Sequence, residues 1–122
     1  MVRVAVPVVS PEGMRSELSD HFGMASDFAV FEYDNGEISD LRYISNDPSK
    51  KGAMNNGQFL AENGVKMVLA GSIGPHMLAV LLDRGVRVLK GAVGTLEDVL
   101  EDLKAGMLTE VYDVGDMDYS RS

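Results

Sequence analysis

Two short stretches of this chain carry the residue types with which it could do chemistry. The first is Gly71-Ser72-Ile73-Gly74-Pro75-His76, which follows the apolar run Val68-Leu69-Ala70. Gly71 and Gly74 permit a sharp turn and the close approach of a ligand. Pro75 suits the first position of a helix, where a missing N–H costs nothing. A helix starting there opens on unpaired N–H groups and about half a unit of positive charge. That is the physics of an anion site, although the same residues also serve as an ordinary strand-to-helix connection. The second stretch is Ser19-Asp20-His21-Phe22-Gly23. The His21 imidazole is suited to ligate a metal or to donate a hydrogen bond to an anion, and its loop position favours such a role over a bond to local backbone. His76, at the second helical position, would assist at the first stretch; its plain alternative is a half-exposed helix residue.

What the sequence lacks narrows the chemistry further. It has no cysteine, so disulfides, thiolate nucleophiles and thiolate-held iron–sulfur clusters are excluded. Two histidines, His21 and His76, cannot build a multi-histidine metal cage. The expected first strand, Val2 to Val8, and the strand before Gly71 contain no carboxylate, which rules out two-metal nuclease chemistry. A Ser72–His76 pair has no third group to support it. Gly71 to Gly74 is not a phosphate-binding Walker loop, because no Gly-Lys-Ser/Thr follows. Met14, Met24, Met54 and Met77 flank the candidate loops, where thioethers suit soft metals, or else they fill the core. The formal net charge of −8 argues against nucleic acid and anionic membrane as partners. No secretory leader is expected, and no apolar run approaches the ~20 residues of a membrane span; the expected location is the cytoplasm.

These loops need a frame to hold them. Valine-rich Val2 to Val9 reads as a buried strand, and Ser10 to Ala25 as a long functional connection. Phe28 to Tyr33 is a second strand, Asn35-Gly36 a two-residue hairpin signal, and Glu37 to Ile44 a half-exposed edge strand with one break in its alternation. Asn46 to Met54, with Pro48, Lys50 and Lys51, reads as a loop. Three helices are expected: Asn55 to Asn63 ended by Gly64, Pro75 to Arg84 ended by Gly85, and one capped by Thr95 with Asp98 three residues on, ended by Gly106. Val65 to Ala70 and Val86 to Lys90 are strands between them.

The expected architecture is α/β: a mixed five-stranded sheet of order 3-2-1-4-5, strand 2 antiparallel, formed by one domain over residues 1–106. Residues 107–122 read as an acidic tail, much of it loose, with Tyr112 and Val114 able to pack. Strands 1 and 4 run side by side while their connections diverge, which makes a switch point where open α/β sheets bind ligands. The Ser19–Gly23 loop and the Gly71–Gly74 turn would meet there, with both histidines on the rim.

The valine-rich first strand, Ser19-Asp20-His21-Phe22-Gly23-Met24-Ala25 leading to Phe28, Gly71-Ser72-Ile73-Gly74-Pro75, and Gly91-Ala92-Val93-Gly94-Thr95 together resemble the dinitrogenase iron–molybdenum cofactor biosynthesis family. The match covers about Val2 to Gly106, with the motifs in the same order. The resemblance implies a ribonuclease H-like fold without nuclease residues. It implies a non-enzymatic protein that binds or carries an iron–sulfur or molybdenum–iron–sulfur cluster and meets a protein partner in its transfer. His21 matches the histidine of the family's HFG motif, and Gly71, Gly74 and Pro75 match its glycine turn. Without cysteine, binding would be loose, through amides, His21 as the one metal ligand, and soft contacts. The expected cluster-binding residues are His21, Phe22, Gly23, Gly71, Ser72, Gly74 and His76. The alternative is a small regulatory or interaction module that holds another small anion, or a partner protein, at the same crevice.

Overall fold

Alternation along a valine-rich strand decides how this molecule layers. In β1 (Val2–Val8), Val4, Val6 and Val8 point to one side of the sheet and Ala5 to the other, all fully buried. A strand buried on both faces must lie centrally and be covered by helices twice. The computed structural model, which describes residues 1–47, 49, 52 and 54–113, has that arrangement. The sheet order is β3-β2-β1-β4-β5-β6. β2 (Asp27–Asp34) pairs antiparallel with β1 and with β3 (Glu37–Ser45), while β4 (Met67–Ala70) and β5 (Arg87–Lys90) continue from β1 in parallel. Helices α1 (Asn56–Glu62) and α2 (Pro75–Asp83) pack on the Ala5 side with Phe28, Val68 and Val88. Helix α3 (Leu96–Ala105) covers the opposite side, with Leu96, Val99 and Leu100 against Val4, Val6, Phe31 and Leu69. Burying each such aliphatic or aromatic side chain contributes roughly 1.5–3 kcal/mol.

The local signals act as expected at most element ends. Asn35 and Gly36 both take positive φ (52° and 83°), as a tight hairpin turn requires. The break in β3 is a register shift opposite Val30 to Glu32, with Asp40 at φ 58°. Asn55 and Thr95 each cap their helix in a reciprocal box, with Gln58 and Asp98 as partners. Gly106 closes α3 in the left-handed conformation.

Among the described residues the sheet has six strands, not five. β6 (Thr109–Val111) comes from the segment expected to begin the tail, and pairs antiparallel with β5. The outer edge of β5 carries free backbone groups that need partners. Val111 is buried beneath the Ala5-side core, and Arg87 grips Glu110 through two bonds of 2.9 and 2.6 Å. Tyr112 is exposed. Val114 and the rest of the expected tail lie outside the described residues, as do Pro48, Lys50 and Lys51 of the expected 46–54 loop.

The long connection after β1 builds the frame of the site. The β1–β4 ladder ends at Ala5↔Val68, and Pro7, with no N–H to offer, falls beyond it. There the chain folds back on itself. Ser19 N–H donates to Pro7 O (2.9 Å), Val9 N–H to Glu17 O (2.9 Å), and Leu18 N–H to Gly94 O (2.9 Å). Residues 17–19 thus lie between the end of β1 and the loop after β5. Among the described residues no helix is long and apolar enough to cross a membrane.

Candidate functional site

At the carboxyl ends of β1 and β4 the two loops face each other across a cleft of about 210 Å³. One wall is His21, Phe22 and Gly23; the other is Ser72, Ile73, Gly74 and Met77. The volume is below the roughly 300–1,000 Å³ of pockets for organic ligands, and so suits a compact occupant.

The His21 wall is held from below. The Phe22 ring is buried and packs against Phe28, with ring centres 5.4 Å apart. The buried Asn56 amide reaches the Phe22 carbonyl from α1 (3.5 Å). The His21 carbonyl accepts from Ser19 Oγ and from Met24 N–H, both at 3.0 Å, which fixes a short 3-10 turn over Phe22–Met24. The His21 side chain is left exposed at the cleft.

The opposite wall is the start of α2. Gly74 is its N-cap, Pro75 follows, and no side chain caps the helix. The first backbone bond runs from Leu78 N–H to Gly74 O (3.0 Å), so the amides of His76 and Met77 are the leading donors. No acidic residue lies in the first turn to offset the positive end of the dipole. Ile73 is buried and anchors the turn, while Met77 Sδ accepts from Gly57 N–H (3.2 Å) and closes the start of α1. Ser72 Oγ donates to the Asp20 carbonyl (3.1 Å) and ties the two walls together. With its proton given to a carbonyl, Ser72 is not arranged as a nucleophile activated by a base.

Of the residues singled out from the sequence, His21, Phe22, Gly23, Ser72 and Gly74 line the cleft. Gly71 and His76 are not among its lining residues. A Cβ on Gly71 would stand 2.8 Å from the Ala92 carbonyl, so this glycine serves the packing of two loops. His76 is exposed, and its neighbour Met77 is the residue of this turn of α2 that lines the cleft. Ile73 and Met77 complete the lining. Met77 had a signal in the sequence, a thioether one turn into a helix that opens on proline; Ile73 had none beyond its place in the turn.

Gly23 and Gly74 differ from Gly71. Neither takes a positive φ, and a Cβ on either would meet nothing within 4 Å. Neither backbone strain nor packing within the chain asks for glycine there, and both border the cleft. Among the described residues no group of three or more His, Cys, Asp or Glu side chains gathers to hold a metal ion. The cleft therefore offers one imidazole, one thioether, a hydroxyl and helix-end amides.

The family model described as dinitrogenase iron-molybdenum cofactor matches residues 2–106 of this chain. The Methanocaldococcus jannaschii protein MJ0580 is 26% identical over 112 residues, covering 88% of this chain and 90% of that protein. Among solved structures, PH0822 is similar at 26% identity with a TM-score of 0.77, covering 93% of this chain and 99% of the other. A Thermotoga protein, TM1290, provisionally named a NifB protein, is similar at 25% identity with a TM-score of 0.73, covering 92% and 95%.

Proposed function

This chain belongs to the dinitrogenase iron-molybdenum cofactor family, and from that premise we propose that it carries an anionic iron–sulfur or molybdenum-containing metal–sulfur cluster without transforming it. The observation that carries this reading is the meeting of His21 with the uncapped start of α2 across one small cleft. A cluster brings its own sulfide and needs few protein ligands. His21 would ligate a metal or donate to a sulfide, the leading amides of α2 would face negative charge, and Met77 would give a soft contact. Glycine at 23 and 74 leaves room that a side chain would fill. The name given to TM1290 points the same way.

With one imidazole and no thiolate the hold is loose, which suits delivery. We read the carrier as non-enzymatic, on a ribonuclease H-like frame stripped of nuclease carboxylates, built on the 1–106 domain. We place it in the cytoplasm, with a protein partner in transfer; its net charge of −8 gives nucleic acid no electrostatic attraction.

The test is anaerobic titration with tetrathiomolybdate, followed by its absorption bands. Saturable binding that His21→Ala weakens about tenfold, near the loss of one charge-assisted hydrogen bond, supports the reading. No binding, or equal binding by His21→Ala, overturns it. A rise in melting midpoint with inorganic phosphate but not with thiomolybdate would instead favour the regulatory module.

A further inference from the structure

Four of the seven large apolar side chains exposed among the described residues belong to the loops at the carboxyl ends of the parallel strands: Val9, Met14, Met24 and Val93. Val9, Met24 and Val93 are 54%, 80% and 66% exposed. Scattered apolar side chains on a surface are ordinary, whereas contiguous ones mark contact sites. Here hydrogen bonds stitch the loops together. Val9 N–H meets Glu17 O, and the next residue, Leu18, meets Gly94 O, which brings Val9 and Val93 to either side of residues 17–18. Ser26 Oγ donates to Val9 O and so brings the Met24 turn alongside. Met14 sits on the turn that ends at Ser16, whose carbonyl accepts Leu96 N–H (2.8 Å). None of the four side chains lines the cleft.

The charge around them has one sign. Exposed Glu12, Glu17, Asp20, Glu97 and Asp98 stand in residues 9–26 and 91–98 against Arg15 alone among the described residues. A second copy docking by a two-fold axis would set this patch against itself, acid against acid. An anionic membrane would be repelled in the same way.

We propose that the loop end formed by residues 9–26 and 91–98 is a docking surface for a protein that presents an apolar contact ringed by lysine or arginine. The apolar side chains supply the contact that persists, and the carboxylates supply steering and orientation. Residues 21–23 of this surface also form one wall of the cleft, so a docked partner would stand beside it. The inference stands on exposure and charge, whatever the cleft holds.

The probe is an amphipathic leucine–lysine peptide, titrated into the isotopically labelled protein and followed by amide chemical shifts. Shifts are expected at 9–26 and 91–98. A Val9→Ser, Met24→Ser, Val93→Ser triple variant keeps the charge and removes apolar area, and is expected to bind at least about tenfold more weakly. These side chains are exposed, so its unfolding midpoint should match the parent. Shifts spread over the whole acidic surface, equal binding by the triple variant, or equal binding of a leucine–glutamate peptide would each overturn the proposal. So would concentration-dependent shifts of the same amides in the free chain, which would name a second copy as the occupant.

Discussion

Two turns of the same pattern leave the neighbouring parallel strands β4 and β5 and meet different fates. Gly71-Ser72-Ile73-Gly74-Pro75 leads from β4 to α2, and Gly91-Ala92-Val93-Gly94-Thr95 leads from β5 to α3. In the second, both glycines need their freedom: φ is 94° at Gly91 and 90° at Gly94. The Thr95–Asp98 box then answers the N–H groups of both its members, Ser16 O accepts the Leu96 N–H, and Leu18 N–H fastens the loop at Gly94 O. That turn is closed. In the first, Gly71 and Gly74 keep ordinary φ, no side chain caps α2, and a cleft opens beside it. A helix N-terminus is available to a ligand only where the chain has not already answered its donors. The sequence pattern G-x-x-G before a helix does not reveal which case holds; the residue after it, threonine or proline, does.

The largest test breaks the closed turn. Gly94→Ala forces a left-handed φ on a residue with a side chain and drives its Cβ into the Asp98 carboxylate. Strain of about 1–3 kcal/mol and a lost cap of about 1 kcal/mol should lower the unfolding free energy by roughly 2–4 kcal/mol in denaturant titration. A change near zero would mean that the turn is not closed as described.

The next makes the open turn resemble the closed one. Gly74→Asp puts a capping carboxylate at a backbone geometry (φ −70°, ψ 156°) that accepts it, with open space for the side chain. Stability should rise by a few tenths of a kcal/mol. Thiomolybdate binding should fall by more than about tenfold, because a fixed negative charge now takes the anion's place. Retained binding would show that α2 contributes nothing to the site.

The smallest keeps the flanks out of the comparison. The Arg87 guanidinium bonded to Glu110 holds that carboxyl below its usual value, as Arg3 first and Arg42 second do for Glu32. A folded value below the unfolded 4.5 means stability that is present above pH 4.5 and lost as pH falls through the folded value. Glu110→Gln should therefore cost about 0.2–1 kcal/mol at pH 7, this being a half-exposed pair, and flatten the stability loss below pH 4.5. Neither turn should notice: anion binding at pH 7 should be unchanged.

How far the site could be read from the sequence varies residue by residue. His21 announced itself as one of two histidines in a loop, and Gly74-Pro75 as a helix start. Gly71 carried the same letter as Gly74 but serves the approach of the Ala92 carbonyl, a contact made by the loop after β5. His76 and Met77 are adjacent, and only the rotation of α2 on the sheet decides which of them meets the cleft. β6 offered no strand signal, being three residues in an acidic stretch with one buried side chain.

The sequence by itself determined the elements whose causes are local. The valine alternation of β1, the Asn35-Gly36 hairpin, the Asn55 and Thr95 caps, and the helix stops at Gly64, Gly85 and Gly106 each act within a few residues, so the chain order carries them. It also determined the strand order 3-2-1-4-5, because crossover handedness and hairpin length leave few alternatives. Tertiary structure decided what depends on neighbours distant in the chain. It recruited β6 to the bare edge of β5, it laid residues 17–19 beside β1 where Pro7 ends the ladder, and it set the Ala92 carbonyl against Gly71. Each outcome rests on a donor, an edge or a space that some other segment fills or leaves open, and no window of sequence contains both parties.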